Sequence, residues 1–175
     1  TTMYMDEGMD TGDMILKEEV DIGEDETTGE LWERLSKIGG NLLVETLKEI
    51  EKGIAPREKQ GNDYTLAPML NKEMAKINWN EDAETVNNFI RGLNPWPIAY
   101  TFYKEKPMKI FEAQVINEKS NKEPGTILNV SKEGIKVACV ENILLVKKVQ
   151  FPNGKPLEVK QYINGNTIEE NTILK

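Results

Sequence analysis

The stretch Asn94-Pro95-Trp96-Pro97-Ile98-Ala99-Tyr100-Thr101-Phe102-Tyr103 divides a helical pattern from a long series of strand-like segments. Before it, residues 82–92 carry apolar side chains at helical spacing, and a helix cannot continue through the two prolines. After it come five segments rich in β-branched and aromatic residues: 98–103, 108–116, 125–130, 134–140 and 143–151. Five short strands in such close succession predict a small β-barrel of the oligonucleotide-binding (OB) type or a β-sandwich.

Three smaller features complete this C-terminal part. The prolines on both sides of Trp96 predict an extended turn, with the indole as a packing anchor rather than a base-stacking platform. A short helix is expected from Pro156 to Tyr162, and the tail ends with the segment Thr172-Ile173-Leu174. Cys139 falls in an apolar strand and is expected to be a buried packing residue.

Composition and charge divide the chain in two. Residues 54–70 contain glycine, prolines and mixed charge without a hydrophobic period, which is typical of a linker. Residues 1–70 carry 7 basic and 17 acidic side chains, a net charge of −10, whereas residues 71–175 carry 15 and 13, a net charge of +2. We therefore expect two modules, 1–53 and 71–175, joined by a linker at 54–70. A balance of +2 is by itself weak evidence for nucleic-acid binding.

The N-terminal module begins with two strand-like segments, residues 1–5 and 14–20, around an acidic loop that contains Gly8 and Gly12. We expect a hairpin-like or crossover unit with this loop at its tip.

A helix is expected to follow, because Thr27 and Glu30 have the spacing of a capping box before an apolar stripe. The pair Gly39-Gly40 is expected to interrupt this helix. Gly53 is the expected C-terminal stop.

The missing residue types exclude several kinds of site. The chain has no histidine and one cysteine, so it can form neither an internal disulfide nor a zinc site with soft ligands. Acid–base chemistry must then use carboxylates or residues outside this chain. No apolar run approaches the roughly 18 residues of a membrane span, and the first residues are acidic, unlike a signal peptide. These observations predict a cytoplasmic protein.

The acidic loop carries a family resemblance. The pattern Met3-x-Met5-x-x-Gly8-x-Asp10-x-Gly12-Asp13-Met14 resembles the signature loop of the folate-dependent formyltransferases. Downstream, Asn94-Pro95-Trp96-Pro97 and Pro124-Gly125-Thr126-Ile127 resemble the C-terminal module of the methionyl-tRNA formyltransferase family. The resemblance covers essentially the whole chain. It implies the last strands and helices of a Rossmann-like catalytic domain, a linker, and an OB-like tRNA-binding domain.

The resemblance also implies a reaction and a site. Members of this family transfer the formyl group of 10-formyltetrahydrofolate to the α-amino group of initiator methionyl-tRNA, and negative charge develops on the formyl oxygen. An Asn and a His bind that oxygen, and a carboxylate orients the His; by resemblance Asp10 is that carboxylate. Asp6, Glu7, Gly8 and Met9 fall where the family's loop lines the folate pocket.

This sequence departs from the family in one respect. The family's Asn and His lie upstream of the loop, and the present chain has no histidine, so it looks truncated. We expect the isolated chain to be inactive in formyl transfer.

Basic residues of the C-terminal module are the candidates for tRNA contact, because such barrels hold phosphates with Lys and Arg and add aromatic faces for bases. Each lysine taken alone is more often a solvated surface charge. We expect no metal site. We expect the protein to be a monomer. The candidates are Lys72, Lys76, Arg91, Lys104, Lys106, Lys109, Lys147 and Lys148.

Two other functions remain open on the sequence. One is an RNA-binding adaptor that works without catalysis. The other is a formyltransferase for a different amine, such as an amino sugar.

Overall fold

A computed structural model describes every residue from Thr1 to Lys175. The chain divides into two compact units, Thr1–Met69 and Leu70–Lys175. None of its helices is both long and apolar enough to cross a membrane.

One long helix, α1 (Thr28–Glu51), dominates the first unit. The expected capping box is confirmed: the Thr27 hydroxyl accepts from the Glu30 N–H, and the Glu30 carboxylate accepts from the Thr27 N–H at 2.9 Å. These contacts also lower the pKa of Glu30. The expected stop is confirmed as well, since Gly53 follows the end of the helix with a left-handed φ of +71°.

The expected break at Gly39-Gly40 is wrong, because α1 runs through both glycines. Two glycines cost a helix on the order of 2 kcal/mol, and the strong cap and the apolar period on both sides outweigh that cost here. Thr46 is the one buried residue of α1. Its large exposed apolar side chains are Trp32, Leu35, Leu43, Val44, Leu47 and Ile50.

The two strands expected at 1–5 and 14–20 are also wrong as regular strands. Met3 pairs with Met14 in an isolated antiparallel bridge, flanked by bonds from Tyr4 N to Asp13 O and from Ile15 N to Thr2 O. Met14 pairs in turn with Glu58, the two residues exchanging both backbone hydrogen bonds. Each segment pairs at too few positions to build a ladder.

The second unit is built on a six-stranded antiparallel sheet in the order β1-β2-β5-β4-β3, with β6 paired to β5. All five strands expected from the sequence are confirmed, and β6 is additional. The strands are β1 (Tyr100–Tyr103), β2 (Lys106–Ile116), β3 (Ile127–Ser131), β4 (Gly134–Ala138), β5 (Ile143–Gln150) and β6 (Leu157–Glu158).

Short helices complete the second unit. The expected helix before the prolines is confirmed as α2 (Ala83–Gly92), and the Asp82 carboxylate caps it by accepting from the Thr85 N–H at 2.8 Å. The helix expected from Pro156 is shorter, because residues 157–158 pair as β6 and leave only α3 (Val159–Tyr162). A single 3₁₀ turn spans Glu73–Ala75.

The C-terminal tail, residues 171–175, closes the sheet. On one side its backbone bonds to the start of β3: Asn171 N donates to Ile127 O, and Ile127 N donates to Thr172 O, both at 2.8 Å. On the other side Lys175 and Phe102 of β1 exchange both backbone bonds, at 2.8 and 3.1 Å. Hydrogen bonding therefore continues from β3 through the tail to β1, the two ends of the strand order.

The interior of this closed sheet is apolar. Its fully buried large side chains are Met108, Ile110, Ile127, Ile135, Val137, Leu144, Val146 and Val149. Trp79 packs into the same core, and its indole N–H donates to the buried Thr101 hydroxyl at 3.0 Å. The expectation that Trp96 is a packing anchor is wrong: its indole is 54% exposed, because Pro97, Ile98 and Ala99 take the buried positions of that turn.

Candidate active-site loop and nucleic-acid interface

The acidic loop is tightened by one of its own side chains. The Asp6 carboxylate accepts from the Gly8 N–H at 3.0 Å and from the Thr11 hydroxyl at 2.5 Å. At Gly12 the backbone passes so close to Tyr4 that an added Cβ would lie 1.7 Å from the Tyr4 carbonyl oxygen. Close approach, and not an unusual φ, is therefore the reason that this position needs glycine.

Asp10 occupies the left-handed region, with φ of +57°. Aspartate tolerates this conformation better than most residues. Its side chain is exposed, and its carboxylate makes no hydrogen bond or ion pair with the rest of the chain. The carboxylate is thus available to a group that this chain does not supply.

The other loop residues singled out by resemblance are exposed too. Asp6, Glu7, Gly8 and Met9 all lie at the surface, and Met9 is 90% exposed. The Asp6 carboxylate is already used inside the loop. Glu7 and Met9 present their side chains outward.

Two residues of the expected linker contact this loop, and sequence reasoning missed both. Gln60 donates from Nε2 to the carbonyl oxygens of Asp10 and Gly12, at 2.7 and 2.8 Å. The Arg57 guanidinium lies 3.8 Å from the centre of the Tyr4 ring and 3.3 Å from the Asp13 carboxylate. No local pattern indicates such contacts, because they join residues more than forty positions apart.

In the second unit, Lys109 is an exposed candidate whose register neighbours are uncharged. It lies on β2, exposed, between Tyr100 of β1 and Gln150 of β5 in the strand register. Neither neighbour carries charge. Lys106 is also exposed, at the start of the same strand opposite Tyr103.

Lys147 and Lys148 lie at a β-bulge between the buried Val146 and Val149. The bulge allows two consecutive side chains to remain half-exposed, where a regular strand would bury one. Lys148 stands opposite Glu112 on one neighbouring strand and Glu158 on the other. Lys147 is the bulged residue and has no residue opposite it in either register, so only Lys148 faces acidic neighbours.

Lys104 is the least available of the candidates. Its ammonium forms an ion pair with Glu169, which raises the pKa of Lys104. The ammonium also lies 5.7 Å from the centre of the Tyr103 ring.

The remaining three candidates do not form one helical face. Lys72 and Lys76 flank the 3₁₀ turn, which is too short to align residues four apart on one face. The Lys76 ammonium lies 5.6 Å from the centre of the Phe102 ring. Arg91 donates from Nε to the Asn88 side chain at 2.8 Å. Lys76 and Lys104 share an open groove with Phe102 and Lys175, whereas Lys109 lines a separate one.

Comparison with known proteins defines the class. Residues 69–167 match the family model described as formyl transferase, C-terminal domain, and residues 1–47 match the model described as formyl transferase. The chain belongs to the formyl transferase family.

One curated relative is methionyl-tRNA formyltransferase of Clostridium beijerinckii, 60% identical over 175 residues. The match covers 100% of this chain and 57% of that protein, so the chain spans little more than half the relative's length.

Two solved structures are similar in fold. HypX from Aquifex aeolicus in complex with tetrahydrofolic acid superposes with a TM-score of 0.67 at 17% identity, over 93% of this chain and 29% of that one. Methionyl-tRNA formyltransferase from Clostridium thermocellum superposes with a TM-score of 0.54 at 24% identity, over 80% and 55%.

Proposed function

We propose that this chain is the C-terminal part of a methionyl-tRNA formyltransferase, which transfers a formyl group from 10-formyltetrahydrofolate to the α-amino group of initiator methionyl-tRNA. The observation that carries the proposal is the unpartnered Asp10 carboxylate, held on a glycine-dependent loop in a member of the formyl transferase family. The clostridial relative of that name, alike over all 175 residues, supports the same substrate pair.

In this proposal the Asp10 carboxylate acts on a histidine from outside the chain. A carboxylate beside an imidazole fixes its orientation and favours its cationic form, which can then stabilise negative charge on the formyl oxygen. The chain itself has no histidine. The 175-residue chain alone therefore has no formyl-transfer activity.

The folate co-substrate supplies the formyl group, and residues 6–9 contribute to its site. The loop fits this role because the side chains of Glu7 and Met9 are exposed and unpaired, beside backbone groups held in a fixed turn. The apolar Met9 side chain suits the face of a planar heterocycle. The solved structure of HypX with tetrahydrofolic acid supports a folate-type donor.

The second unit is proposed as an OB-like barrel that binds tRNA. Closure of the sheet by the tail supports the barrel, and the basic positions on its surface support phosphate contact. We propose 1–53 as the catalytic part, 54–70 as the linker and 71–175 as the tRNA-binding part of a monomer. Within the proposed linker, Gln60 hydrogen-bonds to the loop, and Glu58 pairs with Met14 directly after it.

The catalytic proposal is tested by D10N in the protein produced from the complete reading frame around this sequence. Formylation of initiator methionyl-tRNA by 10-formyltetrahydrofolate is measured, and kcat is expected to fall by about 100-fold, comparable to the loss of one oxyanion-stabilising group. D63N is the matched control, because Asp63 is exposed and has no side-chain partner.

Each rival function predicts a different outcome. Wild-type protein that binds tRNA but transfers no formyl group would support the adaptor. Formylation of a nucleotide-linked amino sugar in preference to methionyl-tRNA would support the sugar enzyme. D10N with wild-type kcat would remove Asp10 from the mechanism.

The tRNA proposal is tested by K147A/K148A, assayed by tRNA binding over a range of salt concentrations. Affinity is expected to fall and the slope of log K against log salt to decrease by about 1 per contacting lysine. Because Lys148 faces Glu112 and Glu158, we expect K147A to have the larger single effect.

The control K119A/K122A removes the same charge from two exposed loop lysines. It should change the slope less. Equal slopes for wild-type, test and control proteins would exclude Lys147 and Lys148 from the contact surface.

A further inference from the structure

Gln60 holds the two carbonyl groups that flank Thr11. Its Nε2 lies 2.7 Å from the Asp10 oxygen and 2.8 Å from the Gly12 oxygen. Because both partners are acceptors, the amide nitrogen, with its two hydrogens, must face them. A single side chain thus satisfies two backbone groups of the candidate catalytic loop.

This arrangement fixes the backbone beside the candidate catalytic residue. Asp10 is left-handed, a conformation that persists only where the surrounding structure holds it. The Gln60 amide contributes to that hold by donating to the Asp10 carbonyl oxygen. With the Asp10 carbonyl held, the direction of the Asp10 Cβ, and so of its carboxylate, is restricted.

Gln60 is itself held in place by its neighbours in the chain. Glu58 exchanges backbone hydrogen bonds with Met14 at 2.8 and 3.0 Å, and its carboxylate accepts from the Lys17 ammonium at 2.9 Å. Arg57 contacts both Tyr4 and Asp13 at the base of the loop. These contacts therefore hold the segment 57–60 beside the loop.

We propose that Gln60 is a positioning residue for the catalytic loop: it aligns the Asp10 carboxylate for its partner without touching substrate. The inference rests on the proposed function of Asp10. It predicts that Gln60 acts on the transfer step and not on tRNA binding, because its contacts are to the backbone of residues 10 and 12 alone.

The test uses Q60E, which keeps the size of the side chain and replaces its two donors by acceptors. In the protein from the complete reading frame we expect kcat for formylation to fall about tenfold, since small displacements of a catalytic group have effects of this size. KM for methionyl-tRNA should stay unchanged. Q161E is the control, with the same charge change at an exposed glutamine of α3.

A double variant separates alignment from general destabilisation. If Gln60 acts through Asp10, Q60E should lower kcat little further in a D10N background. A tenfold loss in both backgrounds, or wild-type kcat for Q60E, overturns the inference.

Amide hydrogen exchange in the 175-residue chain tests whether Gln60 holds the loop without depending on formyl transfer. It therefore separates failure of this inference from failure of the proposed function. Q60E should speed exchange at Tyr4, whose N–H donates to the Asp13 carbonyl oxygen, and at Gly8, whose N–H donates to the Asp6 carboxylate. Unchanged exchange there overturns the inference even where wild-type protein formylates tRNA. A wild-type protein without formyl transfer refutes the proposed function, and exchange still reports whether Gln60 holds the loop.

Discussion

At the scale of single residues, Cys139 shows how burial decides reactivity. It follows β4 directly and is 3% exposed within the core of the second unit, so its expected burial is confirmed although the strand ends at Ala138, earlier than predicted. Burial raises the pKa of its thiol to about 12, although a backbone hydrogen bond from Leu144 acts in the opposite direction. The neutral thiol, which is a poor nucleophile, is therefore the dominant form at every pH at which the protein is handled.

We predict that iodoacetamide does not modify Cys139 in the native protein at pH 8. The same residue should react at once in denaturant, where the thiol returns to its ordinary pKa and to solvent. Mass spectrometry of timed samples measures both rates. A native rate close to that of free glutathione would show that the thiol is accessible.

Whether a contact can be predicted from the sequence depends on how far apart in the chain its two residues lie. The Thr27–Glu30 capping box acts over three positions, so its spacing alone predicted it. The Asp10–Gly12 region was found because a family resemblance covers it. Gln60 acts on residues fifty positions away, and a glutamine between Lys59 and Gly61 gives no sign of that. A side chain that bonds to distant backbone leaves no periodic signal.

At the scale of elements, α1 is a helix whose local signals disagree. Its cap, its apolar period and the Gly53 stop all favour a single helix, and only Gly39 and Gly40 oppose it. For the strands, long-range pairing decides the outcome more than local signals do. Residues 100–150 pair over long registers and were predicted well, whereas residues 1–5 and 14–20 have suitable side chains but pair at isolated positions. Strand propensity yields a strand only where a partner segment runs alongside.

We predict that G39A and G40A each stabilise α1, by about 0.5–1 kcal/mol. An added Cβ at either position meets no atom within 4 Å, so only the backbone preference changes. Urea denaturation followed by far-UV circular dichroism measures the effect. G125A is the control of opposite sign, since Gly125 has φ of +86° and its added Cβ would lie 2.7 Å from the Leu174 oxygen. A loss of helical stability in G39A or G40A would contradict this account of α1.

At the scale of the whole molecule, the two units differ in how their apolar side chains are disposed. The buried cluster of the second unit runs from Ala75 to Leu174 and draws on every strand of the main sheet. In the first unit the apolar side chains of α1 are mostly exposed. Charge and composition predicted two modules, but they could not predict this difference in burial, which depends on long-range packing.

We predict that residues 70–175 fold without residues 1–69. Their melting temperature should agree within about 2 °C with that of the same unit in the 175-residue chain, since a 1 kcal/mol change would move it by about 4–8 °C. Tryptophan emission follows the transition, because Trp79 is 5% exposed and is the buried indole of this unit. A non-cooperative melt would show that the second unit needs the first.

The tail at residues 171–175 has a practical consequence for anyone who handles the protein. The tail backbone is hydrogen-bonded to the backbone of Phe102, Gly125 and Ile127, so the strand edges there are paired. Deletion of residues 171–175 would leave both of these strand edges unpaired at once. Unpaired strand edges can pair with other chains. Loss of the tail should therefore appear first as precipitation during storage, before any loss is seen in an assay.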